Sequence, residues 1–161
     1  MTSSPPALRL ATAADAAVIA HHRVAMFRDM GVLADADAAA LERGSRRALA
    51  DALSDGSYRG WLVEADGRIV AGGGVVLRPL LPRPGHPAGG CEAYVLNVYT
   101  APTHRRLGLA RRLMAQILTW CDDSGVSRVS LHASDDGRPL YATIGFAPTN
   151  EMRRDRTPGA A

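Results

Sequence analysis

One stretch constrains this chain more than any other: Val98-Tyr-Thr-Ala-Pro-Thr-His-Arg-Arg-Leu-Gly-Leu-Ala110 sets a strand, a tight turn and the start of a helix in direct succession. The first turn of a helix leaves backbone N–H groups unpaired and carries a partial positive charge, so it attracts anions. Gly108 lets the main chain close on an anion with no Cβ in the way. Ala110 keeps the helix start slim, and Arg105, Arg106 and Arg111 add positive charge nearby. The signatures G-x-G-x-x-G and G-x-x-x-x-G-K-[ST] are both missing, which excludes the dinucleotide and P-loop cradles. Spacing alone leaves two readings open, a phosphate site and an ordinary strand-helix junction.

The rest of the chain supplies a pattern around that turn. Leu8–Thr12 alternates like a short strand, and Thr12 with Asp15 forms a capping box that opens a helix along Val18, Ile19, Arg23, Met26 and Met30, ended at Gly31. A second helix is expected over 35–53. Tyr58–Glu64 and Arg68–Leu77 read as antiparallel strands joined by Asp66-Gly67, a strong signal for a two-residue hairpin turn. Gly72-Gly-Gly74 inside the second strand suits either close packing or a close ligand. Residues 78–90, with four prolines and three glycines, read as a loop and a candidate substrate lip. Ala93–Thr100 reads as a strand, and a helix from about Arg106 to Asp122 buries Leu109, Leu113, Ile117 and Trp120. A strand over Val126–Ala133, a short helix over Arg138–Ile144 and an extended segment from Phe146 follow. The order is β-α-α-β-β-β-α-β-α-β.

With 161 residues the chain suits one domain. It is placed at 7–156, with disordered ends at 1–6 and 157–161. The net charge is +3 and all 19 basic residues are arginines, yet no run of them exceeds two, which fits a mild field that draws in an anionic ligand. Interleaved aromatics of a nucleic-acid surface are missing. Cys91 and Cys121 lack metal or redox spacing and read as reduced, half-buried residues. No histidine has metal spacing, so no metal is expected. The start lacks a signal-peptide pattern and no stretch is apolar enough to span a membrane, which places the protein in the cytoplasm without membrane or nucleic-acid partners.

Two segments carry a family resemblance. Arg105-Arg-Leu-Gly-Leu-Ala110 is similar to the R/Q-x-x-G-x-G/A pattern of the GCN5-related N-acetyltransferases (GNAT), and the likeness continues upstream through Pro102 and Val98. Ser134-Asp-Asp-Gly-Arg-Pro-Leu-Tyr-Ala-Thr-Ile-Gly-Phe146 resembles the later motif N-x-x-A-x-x-L-Y-x-x-x-G-F, with Tyr141, Gly145 and Phe146 in register. Ser134 stands where the family often has Asn, and Gly137 where it often has Ala. The resemblance covers essentially the whole chain. It implies an α/β (α+β) fold with a mixed, mostly antiparallel sheet of six to seven strands flanked by about four helices.

It further implies acetyl transfer from acetyl-CoA to the amine of a small molecule or peptide, by direct attack in a ternary complex. By the same resemblance, Val98, Tyr99 and Thr100 line the pantetheine arm, and the Val98 N–H faces the thioester carbonyl. Main-chain amides from Arg106 through Leu107, Gly108, Leu109 and Ala110 to Arg111 hold the pyrophosphate beside Arg105, and Ser134 donates to the arm. Tyr141 is the expected general acid, since a phenol keeps its proton at neutral pH; its alternative is a half-buried helix residue. The base position of some relatives falls on Tyr94, so Glu92 or Glu151 is left to act through water, each reading equally as a solvated strand-end charge. The amine arriving already neutral is a further alternative. His104 reads as a surface residue near phosphate, His21 and His22 as possible acceptor-site neighbours, and His132 as a strand residue. The acceptor itself is not legible, beyond a slight preference for an acidic one. A non-catalytic coenzyme-A sensor of the same fold is the competing function, and a homodimer through an edge strand at 146–156 is possible by resemblance.

Overall fold

The structure, a computed structural model, describes residues 5–156. The ends expected to be disordered fall largely outside that range, but Pro6 is tied down by a hydrogen bond from Arg112 to its carbonyl. A single sheet runs β1 (Ala7–Leu10), β2 (Tyr58–Ala65), β3 (Arg68–Leu80), β4 (Gly90–Thr100) and β5 (Arg128–Leu131), in that spatial order. Only the β4–β5 pair is parallel. The helices are α1 (Ala16–Asp29), α2 (Asp35–Asp55), α3 (Leu109–Asp123) and α4 (Arg138–Thr143).

The sheet therefore has five strands among the described residues, not the six to seven expected. The difference lies after Phe146. Residues 145–156 form no strand and 149–156 are exposed, because a segment rich in Pro, Thr, Asn and charge has no apolar face to bury. A second correction concerns the loop at 78–90. β3 continues to Leu80 and pairs Pro79 with Cys91, so the loop shrinks to 81–89. Pro79 is tolerated because β2 ends opposite Val76, leaving β3 with a neighbour on one side only. The loop sits beyond the Gly90 end of β4 and ties Arg83 to Ser127.

Strand alternation divides the core between the two faces of the sheet. Trp61, Val63, Val75, Ala93 and Val95 meet the apolar stripe of α3, where Leu113, Met114 and Ile117 are fully buried. Each such side chain contributes about 1.5–3 kcal/mol by leaving water. Tyr58 and Leu62 point the other way, onto Ile19, Ala20 and Leu49 of α1 and α2. The three consecutive glycines of β3 serve this packing from both sides. A Cβ at Gly72 would lie 2.8 Å from Leu62 Cδ2 and one at Gly73 would lie 3.0 Å from Leu113 Cδ2. At Gly74 it would strike the Tyr58 hydroxyl. The packing reading of that triplet holds, and the ligand reading has no support at those positions.

At the start of α1, Arg9 grips Asp15 with two hydrogen bonds of 2.9 and 2.8 Å while Asp15 also accepts from the Thr12 N–H. The Arg9 contact holds the Asp15 carboxyl down to about 2. The expected capping box is thus present, followed by a short 3-10 turn before α1 proper.

Candidate functional site

The site begins where two strands part. β4 and β5 pair from Glu92↔Arg128 to Val95↔Leu131 and no further, while β4 runs on to Thr100 with β3 on its other side. The register of β3 against β4 slips between Gly72 and Gly74, so Asn97 and Val98 together oppose Gly73. This is a bulge, and Asn97 sits in it at φ +58°, a conformation asparagine tolerates better than most residues. Beyond the bulge the Ala101 N–H donates to Val70 O at 2.8 Å. Antiparallel strands alternate their hydrogen-bonding direction, so Tyr99 turns toward β3 while Val98 and Thr100 turn to the open side. The carbonyl of Thr100 already accepts from Arg105 Nε at 2.9 Å.

The turn after β4 is held open by two positive-φ residues, Arg106 at +62° and Gly108 at +76°. For this reason α3 starts at Leu109 rather than near Arg106. Its first internal bond runs from the Arg112 N–H to Gly108 O at 3.0 Å, so the amides before Arg112 face outward. They open on a cavity of about 260 Å³ lined by Thr100, Arg105, Arg106, Gly108, Ala110 and Arg111, together with His104, Leu109 and Leu140. Among the described residues no carboxylate lines it. Leu107 is exposed beside this loop. Arg105 is anchored to Asp29 and lies over Tyr99, and Arg111 bonds Thr143 Oγ1 at 2.8 Å, which joins α3 to α4. These two arginines shape the loop, and Arg106 is exposed upon it.

Tyr141 projects from α4 against Phe146, their ring centroids 5.9 Å apart, and packs on the α3 side of the core. Burial pushes its phenol above the usual range, so it stays protonated at neutral pH. Gly137 leaves room for its ring, since a Cβ there would lie 2.9 Å from Tyr141 Cε2. Ser134 accepts from the Gly137 N–H at 3.2 Å and so caps the turn into α4.

Glu92 is brought elsewhere. It lies six residues before Val98, roughly 20 Å of strand, with Ser130 Oγ at 2.9 Å and Arg78 at 3.9 Å. Glu151 is exposed in the segment after α4. Tyr94 lies under the Arg78 guanidinium, 4.1 Å away. His21 is exposed near Glu42, and His132 is exposed. His22 is buried against Tyr99 at 4.9 Å, and burial lowers its pKa, with the charge of His21 adding to the effect. None of these histidines lines a cavity of the site; His104 does.

Sequence reasoning missed a group on the opposite face. Arg23, Asn97 and Tyr58 form a hydrogen-bonded chain, Arg23 Nη1 to Asn97 Oδ1 at 2.6 Å and Asn97 Nδ2 to the Tyr58 hydroxyl at 3.4 Å. Tyr58 is 4% exposed and Asn97 6%, and burial raises the Tyr58 phenol to about 12. This chain borders a second cavity, of about 450 Å³, between α1, α2 and the sheet. The signal was an arginine where the apolar stripe of α1 calls for a hydrophobic residue. Leu96 and Asn97 line this cavity and Thr100 lines the other. One short stretch of β4 thus borders both.

Comparison with known proteins gives a consistent picture. The model of the acetyltransferase (GNAT) family matches residues 24–146. An aminoglycoside N(6')-acetyltransferase type 1 of Serratia marcescens is 37% identical over 70 residues, a stretch that spans 39% of this chain and 48% of that protein, about half its length. The structure of a GCN5-related N-acetyltransferase from Ralstonia eutropha JMP134 is similar, with a TM-score of 0.86 and 35% identity over 94% of this chain and 99% of that one. A predicted acetyltransferase with acetyl-CoA from Clostridium acetobutylicum shares the fold at a TM-score of 0.84 and 23% identity, over 94% and 96% of the two chains. Among the described residues no helix is long and apolar enough to cross a membrane, and no cluster of metal-ligating side chains is found.

Proposed function

The chain belongs to the acetyltransferase (GNAT) family, and from that premise we propose that it transfers the acetyl group of acetyl-CoA to the amine of a small molecule by direct attack. The observation that carries this reading is the cavity at the start of α3, where outward amides and three arginines stand beside the open edge of β4. Those residues suit a pyrophosphate, because unpaired N–H groups and the positive end of a helix are a ready anion site.

Acetyl-CoA enters as a substrate, supplying an acyl carbon that a neutral amine attacks while the carbon–sulfur bond breaks. The amides from Gly108 to Arg111 hold the pyrophosphate, and the open edge at Val98 and Thr100 aligns the pantetheine arm. The Val98 N–H polarises the thioester carbonyl; a fixed donor of this kind lowers a barrier by about 3 kcal/mol. Tyr141 gives its proton to the departing thiolate and recovers one from solvent. The amine loses its own proton to water, since Glu92 lies too far along β4 to take it and is held by Ser130 and Arg78.

The test is release of free thiol from acetyl-CoA in the presence of a panel of small amines. Release that depends on an amine supports transfer. Binding of acetyl-CoA with no amine-dependent release would instead make the protein a coenzyme-A sensor.

A further inference from the structure

The larger cavity borders the same strand as the cradle at the start of α3. Its walls are mostly apolar, from Leu41, Leu49, Val76 and Leu96, and its volume of about 450 Å³ is that of a small-molecule site. Among the described residues Arg23 is the one charged residue bordering it. Arg9 and Arg105 are each paired with a carboxylate, while Arg111 and Arg112, which lack one, are exposed. Half-buried Arg23 has no carboxylate within 4 Å among the described residues, only the neutral Asn97 amide oxygen and the face of Phe27 at 4.8 Å. A guanidinium presents five donors in a planar fork, and one of them is used here. Burial pulls its pKa downward, as expected for a cation lacking a counter-ion.

Location narrows the choice. Asn97, which holds Arg23, is the residue before Val98, and neighbouring Cα atoms lie only about 3.8 Å apart. An anion seated on Arg23 therefore lies beside the same stretch of β4 as an amine placed to react at Val98. Resting on the acetyl-transfer reading, we propose that Arg23 anchors the carboxylate of the acceptor, and that the acceptor is an amino carboxylate of the α-amino-acid type with an apolar side chain. The carboxylate takes the free donors of the fork in a bidentate pair, the amine lies one or two carbons away at the bulge, and the side chain fills the space between α2 and the sheet. A polycationic amine has no place in this cavity, since it brings a like charge to Arg23 and polar groups to an apolar wall.

Leucine and leucinamide distinguish the charge from the shape. With the wild-type protein, thiol release from acetyl-CoA is expected to show a kcat/KM for leucine at least about tenfold above that for leucinamide, the scale of a charge-assisted bidentate contact. Arg23→Met should abolish that preference mainly through the KM for leucine, with acetyl-CoA affinity retained as the check on folding. Calorimetric titration of N-acetylleucine into the coenzyme-A-loaded protein reads the anchor without turnover, and binding that Arg23→Met abolishes supports it even if no acceptor reacts. Transfer to cationic or neutral amines with no preference for leucine overturns the anchor and leaves the acetyl-transfer reading standing. No N-acetylleucine binding, with leucine no better than leucinamide, likewise overturns it.

Discussion

The two cavities that meet on β4 are built from different materials. The cradle at the start of α3 is main chain: outward amides, a glycine at φ +76° and an arginine at +62°. The cavity under α1 and α2 is side chain, an apolar wall closed by Arg23, Asn97 and Tyr58 from three separate elements. A main-chain site constrains residue types locally and so fixes a donor common to many proteins. A side-chain site can be rebuilt one residue at a time, which suits an acceptor that differs from protein to protein.

That contrast is tested first at Tyr141, the proposed proton donor on α4. Tyr141→Phe is expected to lower kcat by about a hundredfold while leaving acetyl-CoA affinity intact, as loss of general acid catalysis does; a fall of less than about twofold would show that the hydroxyl takes no part. Gly74→Ala separates the regions next. The added Cβ meets the Tyr58 hydroxyl and the Arg59 carbonyl, and overpacking of this kind costs about 2 kcal/mol in thermal unfolding. Acetyl-CoA should still bind the folded fraction normally. Gly108→Val gives the reverse pattern. A Cβ at this position meets nothing within 4 Å, so the cost to melting is that of a β-branched residue at positive φ, while acetyl-CoA affinity drops about tenfold as the loop shifts off the anion.

The smallest effect is acid sensitivity on the α1 side. Arg9 lowers the Asp15 carboxyl from 3.8 to about 2, so the pair's stabilisation is fully present above the unfolded value and is lost as pH falls through about 2. Solvent screening keeps it to about 1 kcal/mol or less. Asp15→Asn should therefore flatten the decline of melting temperature between those two pH values, and an unchanged slope would remove Asp15 from the account.

Much of this was readable in the chain before folding. The hairpin at Asp66-Gly67 was legible because both residues take positive φ there, +49° and +72°. The stripe of α3 was legible because Leu109, Leu113 and Ile117 recur at helical spacing and are buried as that spacing implies. The turn before α3 was legible for a similar local reason, a glycine at the one position that takes φ +76°. Glu92 shows where such reading stops: residue type made it a candidate base, but its contacts with Ser130 and Arg78 come from neighbouring strands that no local spacing announces. The sixth strand misled because the segment after Phe146, though extended in pattern, has no apolar face to bury and is exposed over 149–156. Arg23, Asn97 and Tyr58 lie too far apart in sequence for any spacing rule, and only the packing of α1 over the bulge brings them together.

The central claim is that the open edge of β4 and the first turn of α3 together seat coenzyme A. Titrating isotope-labelled protein with coenzyme A and following backbone amide resonances tests it directly. The account predicts the largest shifts at Gly108, Leu109, Ala110, Arg111 and Val98, with α2 little affected. Shifts concentrated on α2, with the Gly108–Arg111 amides unmoved, would contradict it.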